Sequence, residues 1–232
     1  MIDFYYWPTP NGHKISIALE EMELDYTVKS INILQGEQMD PEFIAISPNN
    51  RVPAIVDHDG PNGSPHAVFE SGAIFLYLAE RYDQFWPRDA VKRSQAIQWL
   101  FFQCANVGPM FGQCGYFNGY AEERFDRGID RYCGETLRLY GLIDSRLSAN
   151  EYLAGDEYSL ADMATFPWLT AKQQALHGID ISPFKNIQRW AATLEQRPGI
   201  QRGMAVMQSD LKIGNPTDEA REILFSQSKS RS

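Results

Sequence analysis

The spacing of apolar residues changes character near residue 83, so one kind of layer cannot accommodate both halves of the chain. Before that point, runs of period two alternate with helical ones. Ile2, Phe4 and Tyr6 share a strand face, and Ile15, Ala18, Leu19 and Met22 share a helix face. Tyr26, Val28 and Ser30 give a second strand and complete a β-α-β unit. A third strand runs through Val52 to Val56 and contains Pro53. A fourth covers Ala67 to Phe69 after the turn-rich Gly60 to Pro65, and Ile74, Tyr77, Leu78 and Arg81 are spaced as a helix. Asp40-Pro41 reads as an N-cap followed by proline at the first helical position, with a short helix over Glu42 to Ile46.

From about residue 90 the pattern is helical throughout. Ile129, Tyr132, Cys133, Thr136, Leu137, Tyr140 and Leu147 form one stripe, and Ile187, Trp190, Ala191 and Leu194 form another. Ser159 and Asp162, flanked by Tyr158 and Met163, have the form of a capping box with a hydrophobic staple, a structural feature only. The expected fold class is therefore α/β followed by all-α. A β-α-β, β-β-α domain spans residues 1–82, Asp83 to Asp89 link it to an all-helical domain over 90–207, and a polar tail over 208–232 carries one apolar cluster, Ile223-Leu224-Phe225.

Charge and cysteine usage exclude several functions. The 232 residues carry 30 acidic against 21 basic side chains, a net charge of −9, so nucleic acid and anionic membrane surfaces are poor partners. Ser94 to Ala121 holds no charge over a length that can cross a bilayer. Gln95, Gln98, Gln103, Asn106, Pro109, Gln113 and Asn118 make it instead a helical segment beside a cleft, where Trp99, Phe101, Phe102, Phe111, Tyr116 and Phe117 line a co-substrate wall or pack as plain core. Cys104, Cys114 and Cys133 are an odd number with no CxxC pair and no histidines at metal-ligand spacing. They make neither a disulfide framework nor a metal site. With no basic, apolar leader at Met1-Ile2-Asp3-Phe4-Tyr5, the expected compartment is the cytoplasm.

A β-α-β, β-β-α order with a proline early in the third strand is the thioredoxin-like plan, whose reactive spot is the turn after strand one. Here that turn is Trp7-Pro8-Thr9-Pro10-Asn11-Gly12-His13. A helix N-terminus lowers the pKa of a thiol placed against it, yet the chain has no cysteine before Cys104. Thiol chemistry at this turn must use a sulfur that arrives with a ligand.

Three strings then stand together: Pro8-Thr9-Pro10-Asn11-Gly12-His13-Lys14, Ser47-Pro48-Asn49-Asn50-Arg51-Val52-Pro53-Ala54-Ile55-Val56-Asp57-His58 and Phe69-Glu70-Ser71-Gly72-Ala73-Ile74. Through them the chain, from Met1 to about Met207, resembles the glutathione transferases, and most nearly the bacterial Nu class, some members of which are glutathione-dependent disulfide-bond reductases. The resemblance implies bound glutathione as substrate or cosubstrate, no metal, an all-helical second domain and a homodimer.

The resemblance also implies roles for particular residues, each with a plainer alternative. Val52-Pro53 is expected to be a cis peptide that turns the Val52 backbone toward a peptide ligand; spacing alone favours trans. Ser71 is a natural N-cap and, with the free N–H groups of its helix, an anion site for the γ-glutamyl carboxylate. Glu70 pairs with the neighbouring ammonium or merely offsets the helix dipole, and Gln38 either reaches the glycyl carboxylate or is an ordinary loop residue. Thr9 and Asn11 can donate to the ligand sulfur and favour its thiolate, although by residue type Asn11 is the better helix cap and Thr9 a turn residue. Tyr5 or Tyr6 is a second candidate donor, with Tyr6 expected in the core. Arg131 resembles an arginine that holds glutathione from the helical domain, or else belongs to a solvated face. The implied activity is reduction of a small-molecule disulfide by glutathione, with weaker conjugation of electrophiles. The alternatives are conjugation as the main activity and a non-catalytic glutathione-binding module.

Overall fold

The computed structural model describes residues 1–207 and 217–225. These form two compact units: Met1–Tyr77 together with the described residues from Arg202 onward, and Leu78–Gln201.

The first unit is a thioredoxin-like domain. Its sheet holds β1 (Ile2–Tyr6), β2 (Tyr26–Ser30), β3 (Ala54–Asp57) and β4 (His66–Phe69) in the order β2-β1-β3-β4. β2 runs parallel to β1, and β3 runs antiparallel to both β1 and β4. The helices are α1 (Pro10–Glu21), the short α2 (Pro41–Ile46) and α3 (Ser71–Tyr82), which starts in this unit. Alternation works as expected: Ile2, Phe4 and Tyr6 are buried, as are Ile15, Ala18, Leu19 and Met22 of α1 and Ile74 of α3. On the other sheet face Tyr5 packs on Phe43, next to Ile31 and Ala54, so the sheet is covered on both sides.

One close approach in this unit fixes a residue type. Ser16 Oγ donates to the Gly203 carbonyl at 2.7 Å, and a Cβ on Gly203 would lie 2.6 Å from Ile17 Cα. Backbone cannot yield as a side-chain tip does. Gly203→Ala is expected to destabilise the protein by about 1–3 kcal/mol through overpacking, read as a lower urea midpoint at unchanged m-value.

The second unit is all-helical: α4 (Ala90–Phe102), α5 (Gly108–Gly115), α6 (Asp126–Ser148), α7 (Leu160–Thr165), α8 (Ala171–His177), α9 (Lys185–Glu195) and the start of α10 (Pro198–Ala205). The linker ends where Asp89 caps α4, its Oδ1 accepting from Val91 N and Lys92 N. The uncharged stretch is helical with two wider π turns, Gln103–Val107 and Tyr116–Tyr120. Its aromatics divide: Phe111 is fully buried and stacked on Tyr140, while Phe101 is exposed. In α6 the seam runs through Thr136, Leu139, Tyr140, Ile143 and Leu147, and Leu137 is exposed, against expectation. At about 100° per residue, Leu137 is turned off a seam that passes through its neighbours. Among the described residues no helix is long and apolar enough to cross a membrane.

Two further details sharpen the sequence reading. Ser159 and Asp162 form the capping box of α7, and Asp162 is fully buried with four donors on its two oxygens. Leu153 N and Trp190 Nε1 donate to Oδ1 at 2.9 and 2.8 Å, and Ser159 N and Oγ donate to Oδ2 at 3.0 and 3.1 Å. The cysteine reading is corrected: Cys114 of α5 and Cys133 of α6 are joined as a disulfide, leaving Cys104 as a thiol. An odd count rules out complete pairing, not a single bond between helices that packing brings together.

The polar tail expected over 208–232 falls largely on 208–216 and 226–232, outside the described residues. Its apolar cluster, Ile223 to Phe225, ends a further helix, α11 (Asp218–Phe225).

Candidate functional site

Strand register gathers the three sequence strings. Tyr5 on β1 pairs with Ala54 on β3, and Ala54 pairs with Phe69 on β4. The end of β1, the approach to β3 and the exit from β4 therefore meet at one end of the sheet, where α1 and α3 begin. Open α/β sheets commonly bind ligands at such strand ends.

At the first of these, Thr9 rather than Asn11 is the N-cap of α1. Pro10 occupies the first helical position and Thr9 Oγ1 accepts from Gly12 N at 3.1 Å. The hydroxyl proton is left almost unused, since its nearest acceptor, the Trp7 carbonyl, is 3.5 Å away. Asn11 lies in the first helical turn, half-buried, and among the described residues its carboxamide makes no hydrogen bond. Gly12 is required: a Cβ there would sit 2.2 Å from the Trp7 carbonyl oxygen. Tyr6 is core, as expected. It is fully buried, its hydroxyl lies 3.0 Å from His13 Nδ1 and donates to the Val206 carbonyl at 3.3 Å, and burial pushes the phenol well above its ordinary range. Tyr5, on the opposite face, is raised by burial and then by Asp3 and Glu42.

Ahead of β3, Ser47 is buried and its Oγ donates to the Arg51 carbonyl at 2.9 Å, while Asn50 takes a left-handed φ of 45°. Val52-Pro53 is a cis peptide, as the resemblance implies. Among the described residues the Val52 N–H and C=O pair with no other backbone group.

Beyond β4, the cap assignment shifts by one residue. The Glu70 carbonyl accepts from Ile74 N at 2.9 Å and Glu70 has φ 69°, so Glu70 is the N-cap of α3 and Ser71 the first helical residue. A side chain as large as glutamate is uncommon at that φ, and such backbone clusters at ligand sites. The Glu70 carboxylate is exposed and accepts from Asn49 Nδ2 at 3.4 Å. Ser71 Oγ accepts from Lys14 Nζ at 3.3 Å, and Lys14 is 2% exposed. Nothing in the residue pattern marks this lysine except its place on a helix whose neighbouring positions are apolar. Gln38 follows Gly36, whose φ is 85°, in a 3-10 turn over Glu37–Met39. It is buried, and its Oε1 has no hydrogen-bond partner among the described residues.

In the second unit, Arg131 is exposed on α6, and among the described residues its guanidinium makes no hydrogen bond. It adds to Arg138, the main cause, in holding the Glu135 carboxyl below its ordinary range.

The first-unit site thus offers two helix starts with unpaired N–H groups, a hydroxyl proton, a free carboxamide, an unpaired stretch of backbone and one exposed carboxylate. Such a set suits a small zwitterionic peptide better than a metal or a polyanion.

Comparison with known proteins bears on the family. The model described as glutathione S-transferase, N-terminal domain, matches residues 1–80, and that for the C-terminal domain matches residues 129–198. Disulfide-bond oxidoreductase YfcG of Escherichia coli strain K12 is 43% identical over 212 residues, covering 91% of this chain and 97% of its own. Disulfide-bond oxidoreductase YghU of the same organism is 36% identical over 232 residues, covering 95% and 80%. Among solved structures, a glutathione transferase from Burkholderia graminis with two glutathione molecules bound per subunit has TM-score 0.83 at 44% identity, over 88% of this chain and 87% of that one. One from Pseudomonas putida, with one glutathione disulfide per subunit, has TM-score 0.83 at 42% identity, over 88% and 91%. Matched over both of its halves, and this similar to relatives along most of their length, the chain belongs to the glutathione S-transferase family.

Proposed function

We propose that the chain is a glutathione-dependent disulfide-bond reductase that uses bound glutathione thiolate for thiol–disulfide exchange, with weaker conjugation of electrophiles. One observation carries the reading: the α1 turn presents Thr9 and Asn11 as available donors, and the thioredoxin-like unit around it contains no cysteine. The two relatives named as disulfide-bond oxidoreductases, and the neighbours holding two glutathiones or one glutathione disulfide, support it. Two thiols and their disulfide are the start and end of one such reaction.

In this reading Thr9 and Asn11 donate to the sulfur, Val52, ahead of Pro53, offers its N–H and C=O to the peptide, and Glu70 pairs with the γ-glutamyl ammonium. Ser71 and the start of α3 take the adjoining carboxylate, Gln38 takes the glycyl end, and Arg131 is a further glutathione contact. One glutathione thiolate attacks a sulfur of the substrate disulfide and releases a substrate thiolate. A second attacks the glutathione sulfur of the mixed disulfide and releases the other, leaving glutathione disulfide. We further propose a cytoplasmic homodimer.

Calorimetric titration with glutathione, followed by turnover of a small disulfide against an aryl halide, tests the proposal. Faster turnover of the halide would make conjugation the main activity, and tight binding without turnover of either would make the chain a binding module. Tyr6→Phe is expected to leave disulfide reduction largely intact and to lower stability by about 1 kcal/mol, for the loss of one hydroxyl's hydrogen bonding. A large loss of activity in that variant alone would move the activating role to Tyr6.

A further inference from the structure

The disulfide between Cys114 of α5 and Cys133 of α6 presents two unlike sulfurs. Cys114 is fully buried, like Phe111 one turn earlier in α5, and its Sγ lies 3.6 Å from the His177 carbonyl oxygen. A reagent in solvent has no path to it. Cys133 is half-buried, and the face of α6 around it is open. Asp130 and Leu137, three residues before it and four after, are exposed, and a Cβ on Gly134 would meet no atom within 4 Å. A small thiol has room to approach there.

From this geometry we infer that Cys133 is a site of reversible S-glutathionylation, entered by opening the Cys114–Cys133 bond. Glutathione thiolate attacks Cys133 Sγ, the S–S electron pair departs with Cys114, and the Cys114 thiolate takes up the proton that glutathione lost. Cys133 then carries glutathione in a mixed disulfide. A second glutathione thiolate attacks the glutathione sulfur of that adduct and expels Cys133, which is protonated in turn. Two glutathiones are oxidised to glutathione disulfide for one protein disulfide reduced.

The adduct is expected to persist, because the return step needs Cys114 as a thiolate and burial disfavours that anion. His177 does not offset this. Burial pushes its imidazole down to about 4, so at neutral pH it brings no positive charge. The two helices need not part while the bond is open, since Thr136 Oγ1 donates to the Met110 carbonyl at 3.4 Å and Phe111 stacks on Tyr140. In the cytoplasm proposed above, thiols are kept reduced and a protein disulfide is commonly one that opens and closes. The reaction uses glutathione as a free thiol and does not depend on the glutathione site of the first unit.

The test is peptide mass spectrometry of the full chain, incubated under native conditions with excess glutathione and quenched in acid at intervals. The expected product carries glutathione on the peptide holding Cys133, with Cys114 appearing as a thiol and at least about 10-fold less adduct on Cys114. Cys104 is already a thiol and offers no disulfide to attack. Chain isolated with the bond open is treated with glutathione disulfide instead, and Cys133 should then take up the adduct at least about 10-fold faster than Cys114. Cys133→Ser is expected to take up none at Cys114 from glutathione disulfide; should that variant fail to fold, the wild-type peptide map decides the matter alone. Adduct on Cys114 in place of Cys133, conversion to two thiols with no adduct at any time, or a bond that withstands glutathione until the protein is unfolded would each overturn the inference. Adduct at Cys133 in a chain that shows no glutathione binding by calorimetry would sustain this inference and remove the first-unit site alone.

Discussion

Asp162→Asn is expected to lower the free energy of unfolding by about 3–5 kcal/mol, as for a buried charged network broken at one member. Each Asp162 oxygen serves two donors, and the residue is fully buried, away from bulk solvent. Asparagine turns one of those acceptors into a donor. If the new amide faces Leu153 N and Trp190 Nε1, two N–H groups lose their partner at once. If it faces Ser159, the serine hydroxyl can rotate to accept, but the Ser159 N–H cannot. Ser159→Ala removes the cap together with one of the four donors on Asp162 but leaves the other three in place, and is expected to lower stability by about 1 kcal/mol, well short of the loss in Asp162→Asn. The pH dependence has a definite sign. Burial pushes the Asp162 carboxyl up to about 6 against the pull of its hydrogen bonds. The native state then binds this proton more tightly than the unfolded chain does. The contribution of the group is fully present below the unfolded carboxyl range and falls as pH rises through about 6. Subtracting the Asp162→Asn curve from the wild type by denaturant melts across that range isolates the trend. A flat difference would mean that the buried carboxyl titrates as it does in the unfolded chain.

The capping box was legible in the sequence because it is local, a serine three residues ahead of an aspartate before an apolar run. The fourfold satisfaction of Asp162 was not, since Leu153 comes to it from the loop ahead of α7 and Trp190 from α9, neither of which local spacing marks. The strands were legible from alternation, as Ile2, Phe4 and Tyr6 illustrate. The α1 cap was misassigned because asparagine outranks threonine as a cap by type, yet the signal lay one residue away: Pro10 suits the first helical position, which makes Thr9 the cap. At α3, serine is the stronger cap by type, and only the left-handed backbone of Glu70 reveals that the helix begins one residue earlier, at Ser71 itself. The Cys114–Cys133 bond and the Lys14–Ser71 contact depend on packing between elements, which no local spacing encodes. Gathering Thr9, Val52 and Glu70 at one sheet end needs the strand register, although the resemblance had already grouped their strings.

Thr9→Ala and Asn11→Ala are each expected to raise the pKa of bound glutathione thiol by about one to two units, because a hydrogen bond to a charged acceptor contributes roughly 1.5–3 kcal/mol. Rates follow less steeply than ionisation does. A thiolate of higher pKa is the better nucleophile, with a Brønsted coefficient of about 0.4–0.5, so about half of the loss in thiolate fraction is returned. Each variant is therefore expected to reduce a small disulfide roughly 3- to 10-fold more slowly on the acid side of the profile, and the double variant roughly 10- to 100-fold more slowly. On the alkaline side, where wild-type and variant thiols are both ionised, the profiles should meet or cross. Thr9→Ala also removes the α1 cap, at about 1 kcal/mol of stability, so its rates are to be read well below its melting temperature. The thiolate's ultraviolet absorbance, followed against pH in the bound state, reports the shift directly. A loss equal at every pH would assign Thr9 and Asn11 to holding the ligand in place rather than to ionising it. A titration curve that neither variant displaces would end the view that this fold activates a borrowed sulfur with uncharged donors.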